Sequence, residues 1–341
     1  MKYVSSGSPQ IRDNSTTKRI MIDVCIALLP ATIVGCVLLG LLNVQYGIQS
    51  AILMVISVLA AVASEFAYKL ITKVPFKQIL AEFDFTSVVT GMLIGMNLYQ
   101  NSKWYAAVLC SVFAIVVVKM LFGGTGKNIL NPALAGRVFG YISFGAGFGG
   151  TMGFDKVHFS PISYGSISAG ATPLQAVLGD ATCTLNNLDL FIGTGVPGCI
   201  GEISKIALLI GGIYLVLRGV LNFRWPLVYI AVTGVTTVII ELIGGAGFTD
   251  ALGKFLPSIL SGGLFLGAIF MATDYVTAPV TKLGKYIYFA LLGIITAILR
   301  DAVGAEVVSF AILLGNLIVP LIDSYILRRP FGWHKPAKEG K

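Results

Sequence analysis

Long apolar runs recur along this chain with few charges inside them. At about 20 residues per helical crossing of a bilayer, ten runs are candidate membrane spans: 20–42, 50–71, 85–99, 104–122, 129–147, 201–219, 225–243, 259–273, 285–300 and 307–327. Lipid offers no hydrogen bonds to a backbone, so segments like these must satisfy their own amides, as a helix does. The expected fold is therefore all-α and integral to the membrane. Composition agrees: 56% of the 341 residues are hydrophobic and 12% charged, with a mean hydropathy of +0.86, whereas a soluble domain carries about 25% charged residues. Too little chain remains outside the spans for a large soluble catalytic domain. The net charge of +8 comes from short basic clusters between apolar runs, the pattern of cytoplasmic loops and not of a nucleic-acid surface. The five cysteines have no CxxC or metal-ligand spacing, and the two histidines are His158 and His334, so zinc, haem and Cys-ligated iron–sulfur chemistry are not expected within the chain alone.

The first span is too long for a signal-peptide apolar region and lacks a small-residue cleavage site after it, so it reads as a retained helix. Ten spans place both termini on one side. With the N-terminus inside, 18 Lys and Arg fall on the inner side against 5 outside (Lys103, Lys156, Lys205, Lys254 and Arg300), with Arg137 within a span, so both ends are expected in the cytoplasm. Residues 148–200 form the only long connection, on the extracytoplasmic side, rich in Gly, Ser, Thr and Asn. Loops of that length tend to be functional or disordered, and this composition suits an ordered cap over the helices. The chain thus divides into a first five-helix unit (1–147), the outer loop (148–200), a second five-helix unit (201–327) and a basic cytoplasmic tail (328–341).

The two units align with offsets of 172 to 180. Ala27-Leu28-Leu29 matches Ala207-Leu208-Leu209, Glu65 matches Glu241, Gly91 and Gly95 match Gly263 and Gly267, and Gly124 and Gly136 match Gly304 and Gly315 or Asn316. Five spans is an odd number, so the second copy enters the membrane inverted, an arrangement that builds a central site at a pseudo-two-fold interface. Spans 85–99 and 259–273 are the short pair in matching places, bounded by residues such as Asp84 and Pro257. Their ends can leave backbone groups for a ligand or ion; their glycines serve equally for close helix packing. Four charges lie inside spans: Glu65, Glu241, Lys119 and Arg137. Each needs a partner or a function, because burying a charge in hydrocarbon costs about 2.5–3.5 kcal/mol on insertion scales. The glutamates sit near span ends, within reach of the interface. Arg137 is too central to snorkel and calls for a carbonyl or carboxylate.

Two motifs remain. Gly123-Gly124-Thr125-Gly126-Lys127-Asn128 is not a phosphate loop, since GxxxxGK[ST] would need Gly at 121 and Ser or Thr at 128, where Leu121 and Asn128 stand. It is a glycine turn leading to Asn128, Asn131 and Pro132, where a helix start and two amides can cap the helix or hold a polar ligand edge. In the outer loop, Ser168-Ala169-Gly170-Ala171-Thr172-Pro173-Leu174 reads as a turn opening a short helix, with Thr172 as cap and Pro173 at its first position. A threonine hydroxyl flanked by small residues and helix amides can also receive a phosphate-bearing group. Ser-His-Asp catalysis has no support: His158 lacks a nucleophile motif, and His334 is in the basic tail.

Together the ten spans in an inverted repeat, the run Gly123 to Leu134 and the Gly170-Ala171-Thr172-Pro173-Leu174 motif make the chain resemble the RnfD/NqrB family of membrane flavoproteins over nearly its whole length. The short segment before the first span places it nearer the RnfD branch, the D-type subunits of Rnf electron-transport complexes. The resemblance implies an ammonium/urea channel-like fold in a bacterial inner membrane. It implies FMN joined through its phosphate to the hydroxyl of Thr172 by a separate flavin transferase, with Ser168, Gly170 and Ala171 around it. It also implies a noncovalent riboflavin near the glycine turn, touching Asn128 and Asn131. The expected role is electron carriage between sister subunits (A, B, C, E and G types), which hold the ferredoxin and NAD sites, coupled to Na⁺ or H⁺ movement. A channel or transporter for a small neutral solute suits the same architecture but leaves the Ala-Thr-Pro-Leu loop unexplained, and a purely structural subunit that has lost its flavin leaves Thr172 unexplained.

Overall fold

The computed structural model describes residues 16–99, 102–144, 187–193, 198–303 and 307–326. Among the described residues there are helices and turns and no β-strand. The helices are α1 (Thr17–Leu42), α2 (Val44–Ile71), α3 (Phe76–Ala81), α4 (Thr86–Met96), α5 (Trp104–Val112, continued as π-helix over Phe113–Met120), α6 (Pro132–Phe144), α7 (Asn187–Ile192), α8 (Lys205–Leu217), α9 (Arg224–Ile243), α10 (Phe248–Gly253), α11 (Phe255–Leu260), α12 (Leu264–Leu266, continued as π-helix over Gly267–Met271), α13 (Lys282–Val303) and α14 (Val308–Tyr325). Each of the ten apolar runs contains helix.

Five of these, α1, α2, α9, α13 and α14, are long and apolar enough to cross a membrane, and a sixth crossing results if α10 to α12 count as one span bent by 61°. The chain is a multi-pass membrane protein. Of the remaining runs, 85–99 carries only the 11-residue α4, which at 1.5 Å per residue reaches about 16 Å, roughly half of a hydrocarbon core of about 30 Å. Its counterpart, run 259–273, is broken at Ser261–Gly263, where Gly262 takes φ +68°. The short matched pair is thus two half-helices, and local chemistry sets their limits. Asp84 Oδ1 accepts from the Thr86 N–H at 3.1 Å to start α4, and Asn97 folds back at its end, Nδ2 donating to Leu93 O at 2.6 Å.

Capping residues divide the long apolar text. Thr16 Oγ1 accepts from Arg19 N at the start of α1, and Ser204 Oγ from Ala207 N at the start of α8. Asn43 ends one helix and begins the next: its N–H donates to Leu39 O at 3.0 Å while its Oδ1 accepts from Gln45 N at 2.9 Å. Hence α2 begins at Val44 and not at residue 50, with α1 and α2 joined by one residue. The hairpin closes because a Cβ built on Gly47 would stand 2.7 Å from Gly40 Cα, an approach only glycine permits.

Packing falls into two groups with a seam between them. Helix α2 lies along α4 and α5, and α9 lies along α13 and α11. A Cβ on Gly91 would be 2.7 Å from Val58 Cα, and one on Gly267 would be 2.5 Å from Val308 Cγ1, so these two glycines are packing surfaces. The seam is made by α1 against α8. There Asp23, buried, accepts from Arg218 Nε and Nη2 at 3.1 and 3.0 Å and from the Tyr214 hydroxyl at 3.0 Å.

Candidate functional site: two buried polar centres

Arg137 projects from the middle of α6 into one centre. Its Nη1 donates to Asn97 Oδ1 at 2.8 Å and to Ser309 Oγ at 3.0 Å; its Nη2 faces Glu202 Oε1 at 3.5 Å and Cys199 Sγ at 3.8 Å. The guanidinium fork serves acceptors on two separate nitrogens, Nη1 and Nη2, which spreads its bonds more widely than the single nitrogen of an ammonium can. Four parts of the fold therefore converge on one side chain: α6, the end of α4, the start of α14 and the loop 198–204. That loop is itself tied to α4, with Ile200 N–H donating to Leu98 O at 3.2 Å and Gly201 N–H to Met96 O at 2.8 Å. Glu202 and Lys205 are both buried, and Lys205 Nζ donates to Glu202 O at 2.7 Å. Gly263 leaves the space that Glu202 fills, since a Cβ there would be 2.6 Å from Glu202 Oε1.

The second centre lies at the opposite end of α4. Buried Glu65 on α2 receives Lys119 Nζ from α5 at 2.9 Å and Lys69 Nζ from its own helix at 2.7 Å. Lys119 also donates to Thr86 Oγ1, and Thr86 donates to Asp84 Oδ1 at 2.6 Å. The glycine turn completes the network, as Thr125 Oγ1 donates to Asp84 Oδ2 at 2.8 Å. Burial by itself pushes the Asp84 carboxyl up, but the Thr86 and Thr125 hydrogen bonds and the Lys119 charge prevail and hold it below the usual carboxylate range. The turn is built from Gly123, Gly124 and Gly126 at φ +106°, +91° and +87°, where a side chain would be strained.

Glu65→Gln is expected to lower the stability of the chain by about 3–5 kcal/mol, because Lys119 would stay buried after losing its carboxylate. Thermal unfolding in detergent checks it; a melting temperature equal to that of the wild type would show that the pair contributes nothing net.

Of the residues singled out from sequence, Ser168, Gly170, Ala171 and Thr172 lie outside the described residues. Asn131 caps α6, its Oδ1 accepting from Ala133 N at 3.0 Å and Leu134 N at 3.4 Å, and its Nδ2 donates to Met271 O at 3.1 Å. Asn128 Nδ2 donates to Leu130 O at 3.0 Å. Both ends of the Asn131 amide are thus engaged by the fold, and holding α6 against α12 is the work the structure gives it. Glu241, matched to Glu65 in sequence, is only half-buried and pairs with Lys254 at 2.7 Å.

Sequence reasoning does not single out Glu202, Asn97 or Ser309. Glu202 and Lys205 fall inside the apolar run 201–219, and that position is the available signal. Arg300, assigned to an outer loop by charge counting, is buried in α13, with Nη1 donating to Ser258 O at 2.7 Å and Nη2 to Ser261 O at 3.1 Å. Neither Lys205 nor Arg300 is a loop charge: each is buried in a helix, Lys205 in α8 and Arg300 in α13.

The two centres draw on residues from Glu65 to Ser309, and similarity to known proteins extends over nearly the whole chain. The profile of the NQR2, RnfD, RnfE family matches residues 4–332. The chain belongs to this family. Among family relatives, the D-type subunit of the Na⁺-translocating ferredoxin:NAD⁺ oxidoreductase complex of Acetobacterium woodii is 39% identical over 98% of this chain and 97% of its own length. Its counterpart in the proton-translocating ferredoxin:NAD⁺ oxidoreductase complex of Clostridium ljungdahlii is 32% identical over 97% and 96%. The counterpart in an ion-translocating oxidoreductase complex of Alcanivorax borkumensis is 30% identical over 100% and 99%. Each of these matches runs over nearly the whole of both chains.

Proposed function

We propose that the chain is the flavin-bearing membrane subunit of an Rnf-type complex. FMN is attached through its phosphate to the Thr172 hydroxyl, and electrons pass by way of it between ferredoxin and NAD sites on partner subunits of the A, B, C, E and G types. The whole complex couples this transfer to movement of Na⁺ or H⁺ across a bacterial inner membrane. The observation that carries the reading is the full-length match to D-type subunits combined with Gly170-Ala171-Thr172-Pro173-Leu174 in this chain. The flavin supplies the redox chemistry; the protein supplies position and potential. The relatives from A. woodii and C. ljungdahlii are named for different ions and match over nearly the same length, so family membership does not choose between Na⁺ and H⁺.

The proposed architecture is ten spans in an inverted five-plus-five repeat, with both termini cytoplasmic and residues 148–200 outside. Two clamps support it. Lys119 on α5 holds the start of α4 through Thr86, and Arg300 on α13 holds the break before α12 through Ser258 and Ser261. Thr86 and Ser258 are 172 residues apart, and Lys119 and Arg300 are 181 apart, close to the offsets of the sequence repeat. A noncovalent riboflavin at the glycine turn remains part of the proposal only through Asn128, or with exchange of the Asn131 cap.

The test is in-gel flavin fluorescence after SDS denaturation of the chain, expressed with and without a flavin transferase. A fluorescent band that requires the transferase is the expected result. No band, with the transferase active on a control substrate, together with solute flux into liposomes containing this chain alone, would replace this reading with the channel.

A further inference from the structure

Most buried and half-buried hydroxyls among the described residues bond back to their own helix or to a neighbour. Thr90, Thr233, Thr237 and Thr273 donate to the carbonyl four residues back, Ser64 donates to Ala60 O at 2.6 Å, and Ser258 to Phe255 O at 2.8 Å. Four buried serine hydroxyls among the described residues have no partner at all: Ser50, Ser57, Ser87 and Ser111. Their distribution is not even. Ser50 and Ser57 are on α2, Ser87 on α4 and Ser111 on α5, three helices that pack on one another, and none lies in α8 to α14. Nor is the absence of a bond forced by burial in a helix, because Ser64, on the same face of α2 seven residues beyond Ser57, has turned back to its own helix.

These hydroxyls lead toward a charged centre. Ser50, Ser57 and Ser64 recur every seven residues along one face of α2, the face that Ser57 O turns to α4, 2.9 Å from where a Cβ of Gly91 would be. Glu65 follows Ser64 directly. Ser87 follows Thr86, which bonds Lys119, and Ser111 lies two turns before Lys119 on α5. From Phe113 to Met120 the helix between Ser111 and Lys119 is π-helical, a rare widened geometry that is frequent at functional sites. Protein interiors satisfy nearly all buried polar groups, and where protein atoms do not, ordered water does.

We propose that α2, α4 and α5 enclose a file of internal waters, anchored on the hydroxyls of Ser50, Ser57, Ser87 and Ser111, that gives the buried Glu65–Lys119 pair aqueous access from the far end of α2. In such a file each water accepts a proton on one side and releases one on the other, so proton exchange with the pair requires no co-reactant. The pair is then not a sealed structural ion pair but one open to solvent through the helix bundle.

The test uses the full-length chain in membranes, with Ser57→Cys and Ser111→Cys introduced separately and modified with 2-aminoethyl methanethiosulfonate; labelling rates at each site are read by peptide mass spectrometry. Native Cys110, buried on α5 with its carbonyl against Gly136 of α6, is the dry reference at the same depth. A thiol in a hydrated file ionises and reacts, so both introduced cysteines are expected to label at least about tenfold faster than Cys110. Should both label no faster than Cys110, the interior is dry and the proposal falls. If one variant does not accumulate, the other decides by the same criterion. The readout contains no flavin, so failure here leaves the covalent-flavin reading standing, and loss of that reading leaves the water file standing.

Discussion

Thr172→Ala is expected to remove flavin fluorescence from the denatured chain completely, and with it ferredoxin:NAD electron transfer by the assembled complex. The effect is all-or-none because the proposed phosphoester needs a side-chain hydroxyl, and alanine has none to offer the transferase. Thr172→Ser separates this from damage to the loop. Serine keeps an oxygen at the same position and a good helix cap, so fluorescence and transfer should return in part or in full. The checks are fluorescence of the SDS-denatured band and ferredoxin-dependent NAD reduction in membranes, with the transferase present throughout. An undiminished band in Thr172→Ala would move the attachment site elsewhere and remove the main functional role proposed for the outer loop.

Arg137→Ala should have the largest effect on the fold. The guanidinium joins the end of α4, the start of α14 and the loop 198–204 to α6 through Asn97, Ser309, Glu202 and Cys199. Removing one member of a buried ion pair costs about 3–5 kcal/mol, and here two further hydrogen bonds are lost as well. A sharply lower yield and an earlier thermal transition in detergent are expected. Arg137→Lys should recover only part of the loss, since one ammonium cannot reach acceptors on both prongs of the fork. Wild-type melting behaviour in Arg137→Ala would mean that the four segments are held together by helix packing alone.

That these apolar runs carry helix was readable from residues, for a simple reason. Hydropathy along a membrane chain reports the solvent each segment meets, and lipid leaves the backbone little choice but helix. Capping chemistry at Thr16, Asp84, Asn131 and Ser204 is local in sequence, and so are the positive φ angles at Gly123, Gly124 and Gly126. The charges at Glu65, Lys119 and Arg137 were conspicuous because each stands alone in apolar text.

Partners were another matter. Lys119 reaches Glu65 across 54 residues of sequence, and Arg137 reaches Ser309 across 172. Such pairings follow from how helices cross, which no local pattern encodes. Tertiary structure therefore decided that Glu202 answers Arg137, that Arg300 is a clamp within α13 and not a loop charge, and that Asn131 spends its amide on α6 and Met271. It also separated two glutamates that align in sequence: Glu65 is enclosed between α2 and α5, whereas Glu241 remains half-open with Lys254. The sequence by itself determined a helical membrane protein, the apolar runs that carry its helices, and three charges within them, Glu65, Lys119 and Arg137, that would need compensation. Which group compensates which is a property of the packed bundle, because a buried charge is satisfied by whatever the fold brings within about 3 Å, however far away it lies along the chain.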